Sequence, residues 1–220
     1  MGESMIEKRI AETLKTYTKP FSSILLFGPP GSGKDFLGDM IAHAGSQVYV
    51  SLGDIFRSYP LESPIRQMFH QYAVSGALIP DEDVIAVWHY YIQGLIATGR
   101  YSPDFQDLFV SGVPRTLRQA ELLDQYLTVR HVVILTVQDE AQLLERTQRS
   151  LHKKGRLDEV GVELLQKRLQ TYQKEIDEII QHYPKHKVSY VNAEQKPLEV
   201  LRDILTRLAH VFSHPCSTGE

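Results

Sequence analysis

Gly28-Pro29-Pro30-Gly31-Ser32-Gly33-Lys34 decides the fold because of what stands on either side of it. Ahead lies a short apolar run, residues 24–27, with the composition of a buried strand; behind it Phe36, Leu37, Met40, Ile41 and Ala44 recur on one helical face. Strand, glycine-rich loop and helix in that order read as a P-loop. Successive backbone N–H groups of such a loop point into one concavity, the helix N-terminus adds partial positive charge, and the lysine reaches the outer phosphates of a nucleoside triphosphate. Glycine is needed where backbone must approach phosphate closely. A simple Gly/Pro turn between strand and helix has no need of the full spacing that ends in Gly33-Lys34.

Outward from the loop, strands and helices alternate. Upstream, Met5, Ile6, Ile10, Leu14 and Tyr17 predict an amphipathic helix that covers the core or meets a partner. Downstream, residues 47–51 read as a second strand, and Gly53-Asp54 opens a short helix through Arg57. Ser63-Pro64, an N-cap followed by proline at the first helical position, predicts a helix to about Val74 that Gly76 ends. Pro80-Asp81 starts a longer helix with Val84, Trp88, Tyr91, Ile92 and Leu95 inward. Residues 108–111 form a short strand, 131–137 a β-branched central strand, and 188–191 the last. Asp139 begins a helix carrying Arg146 and Arg149, and residues 150–157 read as a short basic loop. A long helix follows to about His182, with Leu165, Leu169, Tyr172, Ile176, Ile179 and Tyr183 inward, and residues 197–212 form the last helix. This alternation predicts a single doubly wound α/β domain, its parallel sheet covered on both faces.

Composition narrows the partners. The chain has 220 residues, a formal net charge of -3 and one cysteine, Cys216. That length supports one substantial core with small inserted segments. The charge offers no global basic field for nucleic acid. A lone cysteine allows neither an intrachain disulfide nor a four-cysteine zinc site, which fits a reducing cytoplasm. The first residues mix charged with apolar side chains, unlike a signal peptide, and no stretch has the length and apolarity of a membrane span. Ile6 stands where a myristoylation start has Ser or Thr. The expectation is a cytoplasmic monomer acting on small molecules, without nucleic acid, membrane or zinc.

Arg57, Arg115, Arg146, Arg156 and Arg168 each fall near the end of a predicted element. Any one alone reads as a solvated surface charge. With a P-loop they become a candidate clamp, since phosphoryl transfer needs fixed positive charge and the planar guanidinium binds phosphate bidentately. From Ser22 to Leu208 the chain resembles the adenylate kinases, within the nucleoside monophosphate kinases. Residues 28–34 match that family's phosphate loop. Ser51-Leu52-Gly53-Asp54-Ile55-Phe56-Arg57 and Gly76-Ala77-Leu78-Ile79-Pro80-Asp81 are similar to the two ends of its AMP-binding segment, here 52–81. Gly112-Val113-Pro114-Arg115-Thr116 with Gln119 looks like its most recognisable motif. Arg146, Gly155-Arg156-Leu157-Asp158, Arg168 and Asn192-Ala193-Glu194-Gln195 match its lid arginine, lid-closing motif, following arginine and ATP-base turn, with a short, metal-free lid at 150–157.

The resemblance implies a P-loop nucleoside triphosphate hydrolase-like fold and reversible transfer from MgATP to AMP. It implies that Lys34, Arg115, Arg146, Arg156, Asp158 and Arg168 serve catalysis. Gly28, Gly31, Ser32, Gly33, Lys34, Asp35, Phe36, Arg146 and Gln195 would meet ATP. Leu52, Arg57, Ala77, Leu78, Ile79, Gly112, Arg115, Gln119, Arg156 and Arg168 would meet AMP. Two alternatives stay open: a nucleotide-binding paralogue with impaired catalysis, serving as sensor or partner module, and a UMP/CMP kinase.

Five positions depart from the pattern. Asp35 and Phe36 replace the Gly-Thr that the family places after the lysine, Ser111 stands where it has a magnesium-holding aspartate, Ser150 where it has a second lid arginine, and Leu52 where it has threonine. Arg149 and Lys153 are near enough in sequence to substitute for that arginine. A carboxylate at ~4 Å from one phosphate charge costs roughly 4 kcal/mol at an effective dielectric near 20. With Mg²⁺ between them the sign reverses. The expectation is that the metal carboxylate has moved from position 111 to Asp35, in an active kinase.

Overall fold

The computed structural model describes residues 17–155 and 161–213. The helix expected before Tyr17, together with Arg156, Asp158 and Cys216, lies outside them. Five parallel strands, β1 (Phe21–Phe27), β2 (Val48–Ser51), β3 (Leu108–Ser111), β4 (Leu127–Thr136) and β5 (Val188–Asn192), lie in the order β2-β3-β1-β4-β5. The helices are α1 (Lys34–Ala44), α2 (Leu52–Ser58), α3 (Pro64–Ser75), α4 (Asp81–Ala97), α5 (Leu117–Leu123), α6 (Glu140–Lys153), α7 (Val162–His182) and α8 (Pro197–Phe212). The chain leaves β1 toward β2 on one side and later crosses from β3 to β4 on the other. A crevice therefore opens at the carboxyl end of β1, the place where such sheets bind ligands.

Alternation along β1 explains the two-sided core. Phe21, Leu25 and Phe27 join the cluster built on Trp88, Phe56, Ile55, Ile92, Leu123 and Ile179. Ile24 and Leu26 join the opposite cluster of Leu37, Ile41, Val200, Ile204 and Leu208. Helices α1 and α8 cover one face, and α2, α4, α5 and α7 the other. Trp88 is fully buried and meets Phe21 edge-on at 6.2 Å, as its helical spacing predicts.

Boundaries differ where charge interrupts an apolar run. β1 starts at Phe21 and β4 at Leu127, earlier than apolar composition predicts, because residues 127–129 pair with 21–23 despite Arg130. The basic loop expected at 150–157 is shorter: Ser150 to Lys153 continue α6. Buried Leu151 anchors that turn against the core, and nothing breaks the helix until Gly155, at φ +67°. Phe36 is not on the inward face of α1; Leu37, Gly38, Ile41 and Ala42 are buried and Phe36 is 59% exposed. Tyr91, Tyr172 and Ile176 are only half-buried.

His131 is a buried titratable group that lies away from the crevice. His131 on β4 is 2% exposed, its Nε2 shares a 2.8 Å hydrogen bond with Ser189 Oγ, and its ring meets His210 at 5.2 Å. Burial, helped by the His210 charge, pushes its pKa down to about 4. An unfolded histidine titrates near ~6.5. Between those values the unfolded chain binds a proton that the native ring refuses, so this contribution is complete above the upper value and is lost as pH falls toward the lower. Urea midpoints are expected to fall between pH 7 and pH 4.5, and His131→Gln to flatten that window; an unchanged slope in the variant contradicts the assignment.

Candidate active site

The loop at the end of β1 is built for a ligand that brings its own acceptors. Gly31 and Gly33 sit at φ +83° and +86°, where a side chain strains the backbone. A Cβ at Gly31 would lie 2.5 Å from the Leu143 carbonyl oxygen and 2.6 Å from Thr147 Oγ1, so α6 passes directly over the loop. Ser32 is 3% exposed, and its Oγ has no hydrogen-bond partner among the described residues. An orphan hydroxyl beside left-handed glycines fits an incoming oxyanion. Lys34 closes the loop, its Nζ donating to the Pro29 carbonyl at 3.5 Å. Burial lowers its pKa; Asp35 opposes that shift, and Arg115 and Lys154 add to it.

Asp35 points across the sheet edge. Its Oδ1 accepts hydrogen bonds from Tyr49 Oη at 2.9 Å and Ser111 Oγ at 3.2 Å. Burial raises its pKa, but the Lys34 charge, the Tyr49 hydroxyl, the Lys154 charge and the Ser111 hydroxyl outweigh that and hold it below the usual carboxylate value. It is therefore an anion at neutral pH. Gly38 makes room for this arrangement: a Cβ there would fall 2.5 Å from the Tyr49 ring, so a larger residue would push the tyrosine off the acid. Burial and the Asp35 charge drive the Tyr49 phenol upward, so it stays a donor. The departures at 35 and 111 are thus one contact.

The arginines come from separate elements. Arg115 follows β3, and its Nε donates to the Gly112 carbonyl at 2.8 Å. Desolvation by the surrounding groups and the charge of Arg168 disfavour its cationic form, with Arg57 adding to this and Asp35 opposing it, while the residue itself stays exposed in the open crevice. A guanidinium does not deprotonate at neutral pH, so this convergence leaves concentrated positive charge that an anion would relieve. Arg57 on α2 donates to Asp54 Oδ1 at 2.7 Å and lies 5.6 Å from the centre of the Phe69 ring, while its Nε has no partner among the described residues. Gly53 leaves space for it; a Cβ there would meet Arg57 Nη2 at 2.5 Å. Arg168 on α7 donates to the Ala73 carbonyl at 2.7 Å and Lys167 to that of Ser75 at 2.6 Å, tying the carbonyl end of α3 to α7.

Other expected residues are spread around this centre. Arg146 donates through Nη1 to the Ala193 carbonyl at 2.8 Å, fixing the turn after β5 against α6. Glu194 reinforces that join by accepting from the N–H groups of Gln138 and Asp139. Gln195 turns inward to Asn192 and Asp203. Gln119 is 1% exposed, accepts from the Arg115 N–H at 2.8 Å and donates to Asp81 Oδ1 at 2.9 Å. Reading a base would require exchanging one of those bonds. Leu52 and Ile79 are buried, whereas Ala77 is exposed. Gly112, at φ +78°, leaves the space between Leu52 and Arg115 open.

Tyr49, Arg66 and Lys154 are residues that sequence reasoning missed. Arg66 lies 5.6 Å from the Phe69 ring centre, as Arg57 does, with its Nη1 buried and unpartnered among the described residues. A glycine inside a helix, Gly38, was the available signal for the close approach of Tyr49.

A family model for adenylate kinase matches residues 26–188. An adenylate kinase from Synechococcus sp. (strain JA-2-3B'a(2-13)) is 30% identical over 199 residues, covering 86% of this chain and 96% of that relative. One from Cyanothece sp. (strain PCC 7425 / ATCC 29141) is 34% identical over 167 residues, covering 73% of this chain and 80% of the relative. One from Micrococcus luteus is 34% identical over 166 residues, covering 73% and 77%.

Proposed function

Because this chain belongs to the adenylate kinase family, we propose that it transfers the γ-phosphoryl group of MgATP reversibly to AMP, giving two ADP. The observation that carries the reading is the convergence of Arg57, Arg115 and Arg168 with Lys34 at the crevice beside β1, each charge felt by another. A scaffold without chemistry has no use for so much clustered charge of one sign.

In this reading an oxygen of the AMP phosphate attacks the γ-phosphorus as the bond to the β-phosphate oxygen breaks. No covalent enzyme intermediate is needed. The backbone of 28–33, Ser32 Oγ and Lys34 receive the triphosphate. Arg57, Arg115 and Arg168 receive AMP, with Leu52, Ala77, Leu78, Ile79 and Gly112 lining its base and Gln119 behind them. Arg146 and the 192–195 turn bracket the ATP base, with Phe36 contributing its N–H. Arg156 and Asp158 retain the roles that the resemblance gives them. Catalysis is positioning plus preorganised charge. The segment 52–81 and the short lid would close over the pair to exclude water.

Magnesium, when bound with ATP, supplies charge neutralisation at the β- and γ-phosphates. The donors present fit it: Asp35 is anionic, half-buried and held next to Ser111, and one carboxylate with phosphates and waters is an ordinary magnesium environment. The reading therefore assigns Asp35 the task of the aspartate missing at 111, with Tyr49 and Ser111 orienting it. It also includes a cytoplasmic monomer acting on free nucleotides, in line with the net charge of -3 and the single cysteine.

Incubation with MgATP and AMP, CMP, UMP or GMP separately tests the assignment. Diphosphate is expected with AMP. Product with a pyrimidine nucleotide instead, or with none of the four, overturns it.

A further inference from the structure

Ser150 leaves the end of α6 without the cation expected there, and neither Arg149 nor Lys153 fills the gap. Arg149 is 65% exposed and paired with Glu145, and Lys153, exposed as Lys154 also is, follows Thr147 by six residues and so points away from the face that Leu143 and Thr147 share. Neither is among the charges that shift Lys34 or Asp35. Lys154, the C-cap of α6, is placed differently. Leu143 and Thr147 are the residues of α6 that abut Gly31, and Lys154 follows Thr147 by two helical turns, on the same face. Two turns are only about 10 Å, and side chains on a helix lean toward its N-terminus, so an extended lysine here can swing back toward the loop. Its backbone is fixed by the N–H bonds of Lys154 to the Ser150 carbonyl and of Gly155 to the His152 carbonyl, both 3.1 Å.

We propose that Lys154 is a further phosphate-binding residue, whose ammonium joins Lys34 around the outer phosphates of the nucleoside triphosphate. The placement rests on the phosphoryl-transfer reading for its ligand and on the path of α6 over Gly31 for its geometry. Consistent with it, the Lys154 charge is felt by both Lys34 and Asp35, the two residues at the mouth of the loop. An anion between Lys34 and Lys154 would relieve the repulsion between them.

Lys154→Met, Lys154→Arg, Lys153→Met and, as a charge-loss control on the far helix, Lys174→Met test this in two assays. In the first, calorimetry with inorganic tripolyphosphate in metal-free buffer reads anion binding without any turnover. Removing one charged hydrogen-bond donor predicts about tenfold to a hundredfold weaker binding in Lys154→Met. Lys154→Arg should retain most of the affinity, and Lys174→Met all of it. In the second, MgATP-AMP turnover should fall in Lys154→Met, with an unchanged melting temperature. Equal losses in Lys153→Met and Lys154→Met, or tripolyphosphate affinity in Lys154→Met matching the parent, overturns the proposal. If the parent protein performs no transfer yet Lys154→Met still loses tripolyphosphate, the functional reading fails and the Lys154 site stands.

Discussion

Arg115→Ala is expected to lower turnover by about a hundredfold or more, the effect of removing one preorganised donor from developing charge. Arg115 is singled out because its electrostatic neighbours include both Arg57 and Arg168, which puts it between the other arginines of the cluster. Its orientation is set before any ligand arrives: Nε is held by the Gly112 carbonyl and its backbone N–H by Gln119. Little reorganisation is then needed at the moment of transfer. The loss should appear in kcat as well as in KM for AMP, because the interaction strengthens as the phosphoryl group moves. Arg115→Lys should recover little, since an ammonium lacks the planar fork. Near-normal turnover in Arg115→Ala, measured by coupled ADP detection, contradicts the clamp.

Asp35→Ala should change ATP binding with opposite signs in the presence and absence of magnesium. Without the metal the carboxylate faces phosphate charge, a repulsion of up to roughly 4 kcal/mol at ~4 Å and an effective dielectric near 20, so its removal should tighten ATP binding. With magnesium the same carboxylate faces a divalent cation, and its removal should weaken binding. Calorimetry in EDTA and in magnesium buffer measures both. Asp35→Asn keeps an acceptor for Tyr49 and Ser111 and should show the same crossing, which separates charge from packing. Ser111 Oγ lies 3.2 Å from Asp35 Oδ1, so the double variant Asp35→Ala/Ser111→Asp returns a carboxylate to nearly the same place and should restore magnesium dependence. Shifts of the same sign in both buffers contradict a metal role for Asp35.

The parts of this molecule that local pattern controls are legible in its sequence. Glycine spacing before Lys34 and the β-branched run in β4 depend on neighbours close along the chain, and the strand-loop-helix and parallel sheet follow from them. Edges are less legible where a polar residue earns its place through a distant partner. Arg130 interrupts the apolar start of β4, yet it forms a 2.8 Å ion pair with buried Asp107 and the strand continues through it. Charged residues at 152–154 read as loop, but Leu151 anchors the turn and α6 continues. The site divides in the same way. Its arginines follow from motif order, whereas the Asp35-Tyr49-Ser111 contact joins a helix to two strands and is set by tertiary packing around Gly38. Read separately, 35 and 111 are two losses; in space they are a single exchange.

The most direct measurement supplies the protein with MgADP alone and follows the phosphorus NMR spectrum. ATP and AMP should appear in equal amounts as ADP is consumed, because one ADP then donates its terminal phosphoryl group to another. An unchanged ADP spectrum, or AMP accompanied by inorganic phosphate, would contradict the account.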